Sequence, residues 1–470
     1  MSGAVNIWDY AGRRVHMVGI GGSSMSGLAE MLHTDGFVVS GSDSADGYAL
    51  DKLRRLGLAV YAGHDPQRAA QADLLVYSAA ISPNDPERVA AGERGIPQVE
   101  RAELLGQLMR GYEQTACVCG THGKTTASAM LSQVLLDAGK DPTVHIGGSL
   151  DYLGGGSRVG GKGVFVAEAC EFNRSFLHMP PTMAIITNIE EDHLDCYRDL
   201  DDIQHAFEQF VDLLPRDGLC IGLADDPRVM QVMQRSGRRF ITFSLSGPAD
   251  WTAGGLRYDE HGCAAFEARC RGEAKGQIAL RVAGDFNALH ALGALAAAVE
   301  LGAEAEAACR SLSAFAGAHR RFEYTGTVQG MRLYHDYGHN PAEMQSAVSV
   351  ANMQGRRVIA VMQPHTFSRV KGLFDGFLTC TQAADITLVT DIYAAREKDP
   401  GDIHSRMLVA GMRAQGIDAH LTPTFDDTER WLLEHGREGD LVLTMGCGNI
   451  NLLNDQMQQH WDDRQPPLEG

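Results

Sequence analysis

Short apolar runs that end in glycine or small polar residues, each followed by a helix-like stretch, recur along the whole chain. Val15 to Ile20 is the first and closes in Gly19-Ile20-Gly21-Gly22-Ser23-Ser24; a helical pattern follows from Met25 to Leu32, then a strand pattern from Phe37 to Ser40. Leu74 to Tyr77 reads as another strand, with Ser78 at its carboxyl end. Further strands are expected at Thr115–Cys119, Val164–Ala167 and Ala184–Thr187, with helices from Ala127 to Leu131 and over the Ala- and Leu-rich stretch Asn287–Leu301. Beyond Ala318 the strand patterns are Val358–Met362, Ile386–Thr390 and Leu441–Thr444, separated by helix patterns. This alternation predicts an α/β protein with mostly parallel, doubly wound sheets, whose ligands lie at the carboxyl ends of the strands. Gln107 to Gln114 reads as a linker, and the organisation expected is three domains, residues 1–112, 113–317 and 318–470. No solenoid-period repeat or low-complexity tract interrupts them, and the tail from Gln465 to Gly470 is expected to fray.

Composition narrows the class. The chain has 470 residues, 44% hydrophobic and 21% charged, which suits a globular protein of two to four domains. A formal charge of −19 argues against nonspecific nucleic-acid binding, which rests on clustered Lys and Arg, but not against binding a nucleotide. Met1 to Tyr10 shows neither a basic n-region nor an apolar h-region, and no run of about 18 apolar residues predicts a membrane span. The ten cysteines show no C-x-x-C or zinc-like spacing, so reduced thiols and a cytoplasmic setting are expected, with Cys117 and Cys119 on a buried strand.

The most specific chemistry is in Gly120-Thr121-His122-Gly123-Lys124-Thr125-Thr126. Strand, glycine-rich turn, Lys-Thr and helix form a phosphate-binding layout: backbone N–H groups and a helix N-terminus face the phosphates, Lys124 neutralises them, and the Thr125 hydroxyl can hold magnesium. The loop is shorter than a standard P-loop, which has glycine where Val118 stands. Gly19 to Ser24 starts like a dinucleotide fingerprint, and Asp43 lies about 20 residues on, but Ser24 replaces the third glycine. A diphosphate other than that of NAD fits it better. Glu168 and His193 follow two strands beside the expected phosphates, where a carboxylate and an imidazole can reach magnesium during phosphoryl transfer. Glu190, Glu191 and Asp192 read as solvated loop acids. Arg320 stands at a domain junction, a place from which a guanidinium stabilises transferring phosphoryl charge. The loops His335–Pro341 and Gln363–Arg369 read as one wall of a cleft.

In order, GIGGSSMSG, GSD, GTHGKTT, EACEFNRSFL, TNIEEDHLD, GDFNALHALGA, HRRFE, HDYGHNP, QPHTFSR and GCGNI resemble the motifs of the Mur ligase family over nearly the whole chain. The resemblance implies a UDP-binding Rossmann-like domain, a central ATPase and a C-terminal Rossmann-like domain. It implies amide formation in peptidoglycan precursor synthesis: ATP phosphorylates the lactyl carboxylate of UDP-N-acetylmuramic acid, and the amine of L-alanine displaces the phosphate. Lys124, His193 and Arg320 would be catalytic. Gly120, Thr121, His122, Gly123, Lys124, Thr125 and Thr126 would hold ATP, with Asn287 and His290 at the adenine, Asp336 at the ribose and His339 near the phosphates. Thr125 would hold the first of two magnesium ions, and Glu168 and His193 the second. Gly19, Gly21, Gly22, Ser23, Ser24, Met25 and Ser26, with Asp43, His64, Ser78, His122 and Asn188, would hold the UDP-sugar, and Tyr337, His365 and Arg369 the amino acid. A monomer or homodimer without nucleic-acid or membrane partners is implied.

Later ligases of the family carry a carbamylated lysine after the DH motif. No Lys occurs here between Lys162 and Lys275, which points to the branch that adds L-alanine. Thr366, Asn340, His335 and His290 stand where members more often have Arg, His, Asp and Asn, so a ligase for another amino acid or a peptide is the neighbouring alternative. An NAD-dependent oxidoreductase and a nucleotide sensor without turnover are the readings from other classes.

Overall fold

The structure is a computed structural model and describes residues 5–192, 196–259, 261–395 and 397–462. Five strands, β1 (Arg14–Val18), β2 (Val38–Asp43), β3 (Ala59–Ala62), β4 (Leu74–Tyr77) and β5 (Gln98–Glu100), form a parallel sheet in the order β3-β2-β1-β4-β5. The order reverses at β1. The loop after β1 therefore opens between the ends of β2 and β4, which carry Asp43 and Ser78.

The next strands are β6 (Gln114–Cys119), β7 (Thr143–Leu150), β8 (Gly155–Arg158), β9 (Val164–Glu168), β10 (Met183–Ile186), β11 (Leu219–Leu223) and β12 (Arg239–Ser244). They run in the order β12-β11-β10-β6-β9-β7-β8, parallel except for β8. Strand β6 is central and buried along Thr115–Cys119, as a strand covered on both faces must be, and Cys117 and Cys119 are fully buried. Its neighbours β9 and β10 end level with it, so the loops after all three strands meet. The strands Trp251–Tyr258, Cys263–Cys270 and Glu273–Ala283 follow, the first of them pairing parallel with β12; weakly apolar and half exposed, they were not expected from the sequence.

Six further strands, counted on as β13 (Glu323–Val328), β14 (Met331–Asp336), β15 (Val358–Met362), β16 (Ile386–Val389), β17 (Ala419–Leu421) and β18 (Leu441–Met445), form a third sheet in the order β13-β14-β18-β15-β16-β17, parallel except for β13.

Three sheets fall into two compact units. The first comprises residues 1–255, 266–278 and 286–315, and the second comprises 256–265, 279–285 and 316–470. The first two sheets share a unit because they share a core: Leu28, Leu104 and Leu105 belong to one apolar cluster with Phe176, Phe207 and Phe210. The linker expected at Gln107–Gln114 narrows to residues 110–113, between a helix and β6. Gln107 to Met109 is the buried end of a helix, Arg101–Met109, and Gln107 accepts from the Ile7 amide at 2.9 Å. Gly106 is required there, since a Cβ would sit 1.9 Å from the His178 carbonyl oxygen.

Candidate active site

The loop after β6 is set by its glycines. Gly120 has φ +134°, and a Cβ on it would meet Thr187 Oγ1 at 2.0 Å; Gly123, at φ +82°, would put one 2.0 Å from His290 Nε2. The Thr187 hydroxyl bonds the His122 carbonyl at 2.6 Å, and Asn188 accepts from the His122 amide at 2.8 Å while its carbonyl accepts from the Thr121 amide at 3.1 Å. The carboxyl end of β10 thus moulds the loop. Asn188 and His122, expected at the UDP-sugar, are engaged with each other. Thr121 Oγ1 accepts from the Glu190 amide at 2.8 Å, and Thr126 is buried.

Helix Lys124–Asp137 starts at this loop. Lys124 Nζ donates to the carbonyls of Gly120 (2.7 Å) and Thr121 (2.9 Å) and pairs with Glu171 at 2.9 to 3.0 Å. Burial pulls the ammonium pKa down, and the charge of Glu171 more than reverses this, so Lys124 stays firmly protonated. Glu171 is 2% exposed and was missed as a site residue. The only signal for it was its place three residues after Glu168. Thr125 Oγ1 donates to Glu168 Oε2 at 3.0 Å, and the same oxygen accepts from the Gly147 amide at 2.9 Å. A hydroxyl and a carboxylate are the oxygen donors that magnesium takes, so these two residues fit it in chemistry. His193 lies outside the described residues. Asn287 and His290 are buried on helix Asp285–Glu300, and His290 packs directly over Gly123. Glu190 is exposed, as expected; a hydrogen bond from His122 lowers its pKa.

At the first sheet, Gly19 to Gly22 turn into helix Ser23–Thr34, whose first amides are anion donors. Gly21 donates its amide to Asp43 Oδ2 at 2.9 Å, so Asp43 shapes the loop from the end of β2. Met25 is buried, which leaves only its amide for a ligand; Ser26 Oγ donates to the Ser23 carbonyl at 3.2 Å. His64 lies 3.5 Å from Asp85 and 3.7 Å from the buried Glu87, and Ser78 is half-buried just past β4.

The second unit gathers its own constellation at the ends of β14, β18 and β15. Arg320 donates to His335 Nε2 (3.0 Å) and to the carbonyls of Gly446 (3.1 Å) and Gly448 (2.9 Å), and its guanidinium lies 4.8 Å from the Tyr337 ring. His335 therefore accepts and is neutral; burial, then the charge of Arg320, pulls its pKa down to about 3. Asp336 accepts from the Phe322 and Gly338 amides at 2.8 and 2.7 Å, and burial raises its pKa. His339 pairs with Glu343 at 3.1 Å, and its ring lies 6.2 Å from that of His365. His365 stacks on Tyr393 and takes a 3.0 Å contact from Arg369; burial, then Arg369, lowers its pKa to about 4. Asn340 caps helix Pro341–Met353 in a capping box with Glu343, a structural use for that residue. Arg320, Phe322 and Thr366 all have positive φ, and for a β-branched residue such as Thr366 at +62° this is strain of the kind held at ligand loops.

Three family models match in sequence: "Mur ligase family, catalytic domain" over residues 14–113, "Mur ligase middle domain" over 118–298 and "Mur ligase, glutamate ligase domain" over 320–448. The UDP-N-acetylmuramate–L-alanine ligase of Acetivibrio thermocellus is 42% identical over 440 residues, 93% of this chain and 94% of that protein. The crystal structure of UDP-N-acetylmuramate–alanine ligase from Thermotoga maritima superposes with a TM-score of 0.80 at 26% identity, covering 96% of this chain and all of that one. A murein peptide ligase from Psychrobacter arcticus shares the fold, with a TM-score of 0.71 at 23% identity over 97% of this chain and all of that one.

Proposed function

Since this chain belongs to the Mur ligase family, we infer that it is an ATP-dependent ligase that joins L-alanine to UDP-N-acetylmuramate in peptidoglycan precursor synthesis. The observation that carries this is the near full-length identity with L-alanine ligases, together with a lysine-bearing loop whose neighbouring strand ends supply Glu168 and Asn188.

A carboxylate is a poor electrophile. Transfer of the γ-phosphoryl group of ATP to the lactyl carboxylate oxygen, with ADP released, gives a carbonyl carbon with phosphate as leaving group. The alanine ammonium first gives up a proton to solvent; the free amine attacks that carbon, the amide C–N bond forms, the C–O bond to phosphate breaks, and the second proton of the nitrogen leaves to the departing phosphate. Lys124 is assigned to the β- and γ-phosphates, a role its retained charge supports. Thr125, Glu168 and His193 are assigned to magnesium, which when bound neutralises phosphate charge. Asn287 and His290 are assigned to the adenine, Asp336 to the ribose, and Arg320 and His339 to the transferring phosphate. Tyr337, His365 and Arg369 are assigned to the amino acid; the neutral His365 leaves Arg369 as the cation for its carboxylate. The first loop, with Asp43, His64 and Ser78, is assigned to the UDP-sugar. Domain boundaries are proposed after residues 112 and 317, with activity in the cytoplasm as a monomer or homodimer. Among the described residues no helix is long and apolar enough to cross a membrane.

Phosphate release from ATP and magnesium, with UDP-N-acetylmuramic acid and each amino acid in turn, tests the function. Release that requires both the sugar nucleotide and L-alanine is expected. Release with another amino acid alone would overturn the specificity, and none with any would overturn the ligase reading.

A further inference from the structure

Ser24, in the first turn of the helix that follows the first loop, touches two side chains that the assignments above do not use. Its Oγ lies 2.8 Å from His145 Nε2, on β7 of the second sheet, and 3.2 Å from Arg101 Nη1. His145 is 5% exposed, and its Nδ1 has no hydrogen-bond partner among the described residues. The approach is close: a Cβ on Gly27, one turn into the helix after the loop, would lie 2.4 Å from Ser157 Oγ on β8 and 3.4 Å from His145 Nδ1.

These contacts determine where the Ser24 proton goes. A guanidinium only donates, so one lone pair of Ser24 Oγ accepts from Arg101. Burial, then the charge of Arg101, pulls the His145 pKa down to about 3, so the ring is neutral and carries a single proton. Were that proton on Nδ1, it would be a buried N–H without an acceptor, and Nε2 would consume the Ser24 proton. With the proton on Nε2, no N–H is orphaned, and His145 donates to the second lone pair of Ser24. Both lone pairs are then filled, and the hydroxyl can only donate to a third partner.

We propose that His145 and Arg101 together fix Ser24 as an obligate hydrogen-bond donor to the anionic sugar nucleotide on the first loop, which makes His145 a positioning residue supplied by the second sheet. This rests on the assignment of that loop to the UDP-sugar.

Calorimetry of UDP-N-acetylmuramic acid binding to the full-length protein tests it, with steady-state KM values for the sugar nucleotide and ATP alongside. His145→Phe keeps the ring volume and removes the donor; about tenfold weaker sugar-nucleotide binding is expected, with the ATP KM unchanged. His145→Gln places an N–H where Nε2 lies and should restore most of the affinity. Arg101→Met, at a half-buried position, supplies an independent variant should His145→Phe fold poorly, with a similar loss expected. Adding His145→Phe to Ser24→Ala should cost nothing beyond Ser24→Ala alone, because the effect runs through that hydroxyl. Wild-type affinity in folded His145→Phe, or additive losses in the double variant, would overturn the proposal. Failure of the unaltered protein to bind the sugar nucleotide would instead overturn the assignment of the loop, and the proposal with it.

Discussion

Gly123→Ala is the substitution for which the structure sets the clearest magnitude. The residue has φ +82°, where a side chain costs about 1–2 kcal/mol. The new methyl would also lie 2.0 Å from His290 Nε2 and 2.3 Å from its Cε1, so the ring must move. His290 is 6% exposed, and forcing a buried group aside costs about 1–3 kcal/mol. Together these predict a loss of about 2–5 kcal/mol in urea denaturation followed on the first unit, with ATP affinity falling because the displaced ring is the one assigned to the adenine. The two contributions are separable. His290→Ala in the same chain removes the clash but not the backbone strain, so the double variant should be more stable than the sum of the single effects by about 1–3 kcal/mol. A Gly123→Ala protein with wild-type stability and ATP affinity, or strictly additive single effects, would refute the reasoning.

Lys124→Ala should lower kcat by about 10²–10³ or more while UDP-N-acetylmuramic acid binding, read by calorimetry, stays close to wild type. The same change strands the buried Glu171, so adding Glu171→Gln should recover stability in thermal melts without restoring turnover. Arg369→Ala should raise the L-alanine KM about tenfold or more and the ATP KM far less; equal changes would remove the carboxylate assignment. For pH, the folded His335 pKa of about 3 lies below its unfolded value, so the unfolded chain takes up the proton first as pH falls. Stability present above about pH 6.5 is then lost on acidification, by about 2 kcal/mol at pH 5. His335→Gln should remove that part of the pH slope in denaturation of the second unit.

The strands most readable from sequence were those buried on both faces. Leu74–Tyr77 and Val358–Met362 are near-continuous apolar runs, and the structure has β4 and β15 at those residues. The strands over Trp251–Ala283 escaped notice because their faces are half exposed and interrupted by Gly, Arg and Glu, which leaves no run and only weak alternation. The helix Arg101–Met109 was mistaken at its end for a linker because Gly106 and Gln107 are turn-like by composition; their reasons, the His178 carbonyl and the Ile7 amide, are distant in the chain. The same distance hid Glu171 and His145. A motif shows which residues can bind phosphate, but not which buried partner holds them in place.

That partner affects binding as much as the motif does. An ammonium has three donors, and among the described residues Lys124 has three acceptors: two loop carbonyls and Glu171. On the assignment of Lys124 to the phosphates, a phosphate must therefore take a donor from one of them, so nucleotide binding would be an exchange of acceptors rather than an added contact. The exchange favours phosphate because its charge is the greater, and the N–H groups of the loop and helix join in with it. On that assignment it also explains why a buried carboxylate is tolerated next to the loop. Glu171 holds the lysine charged and the loop in shape, so that little of the phosphate's binding energy goes into ordering the loop.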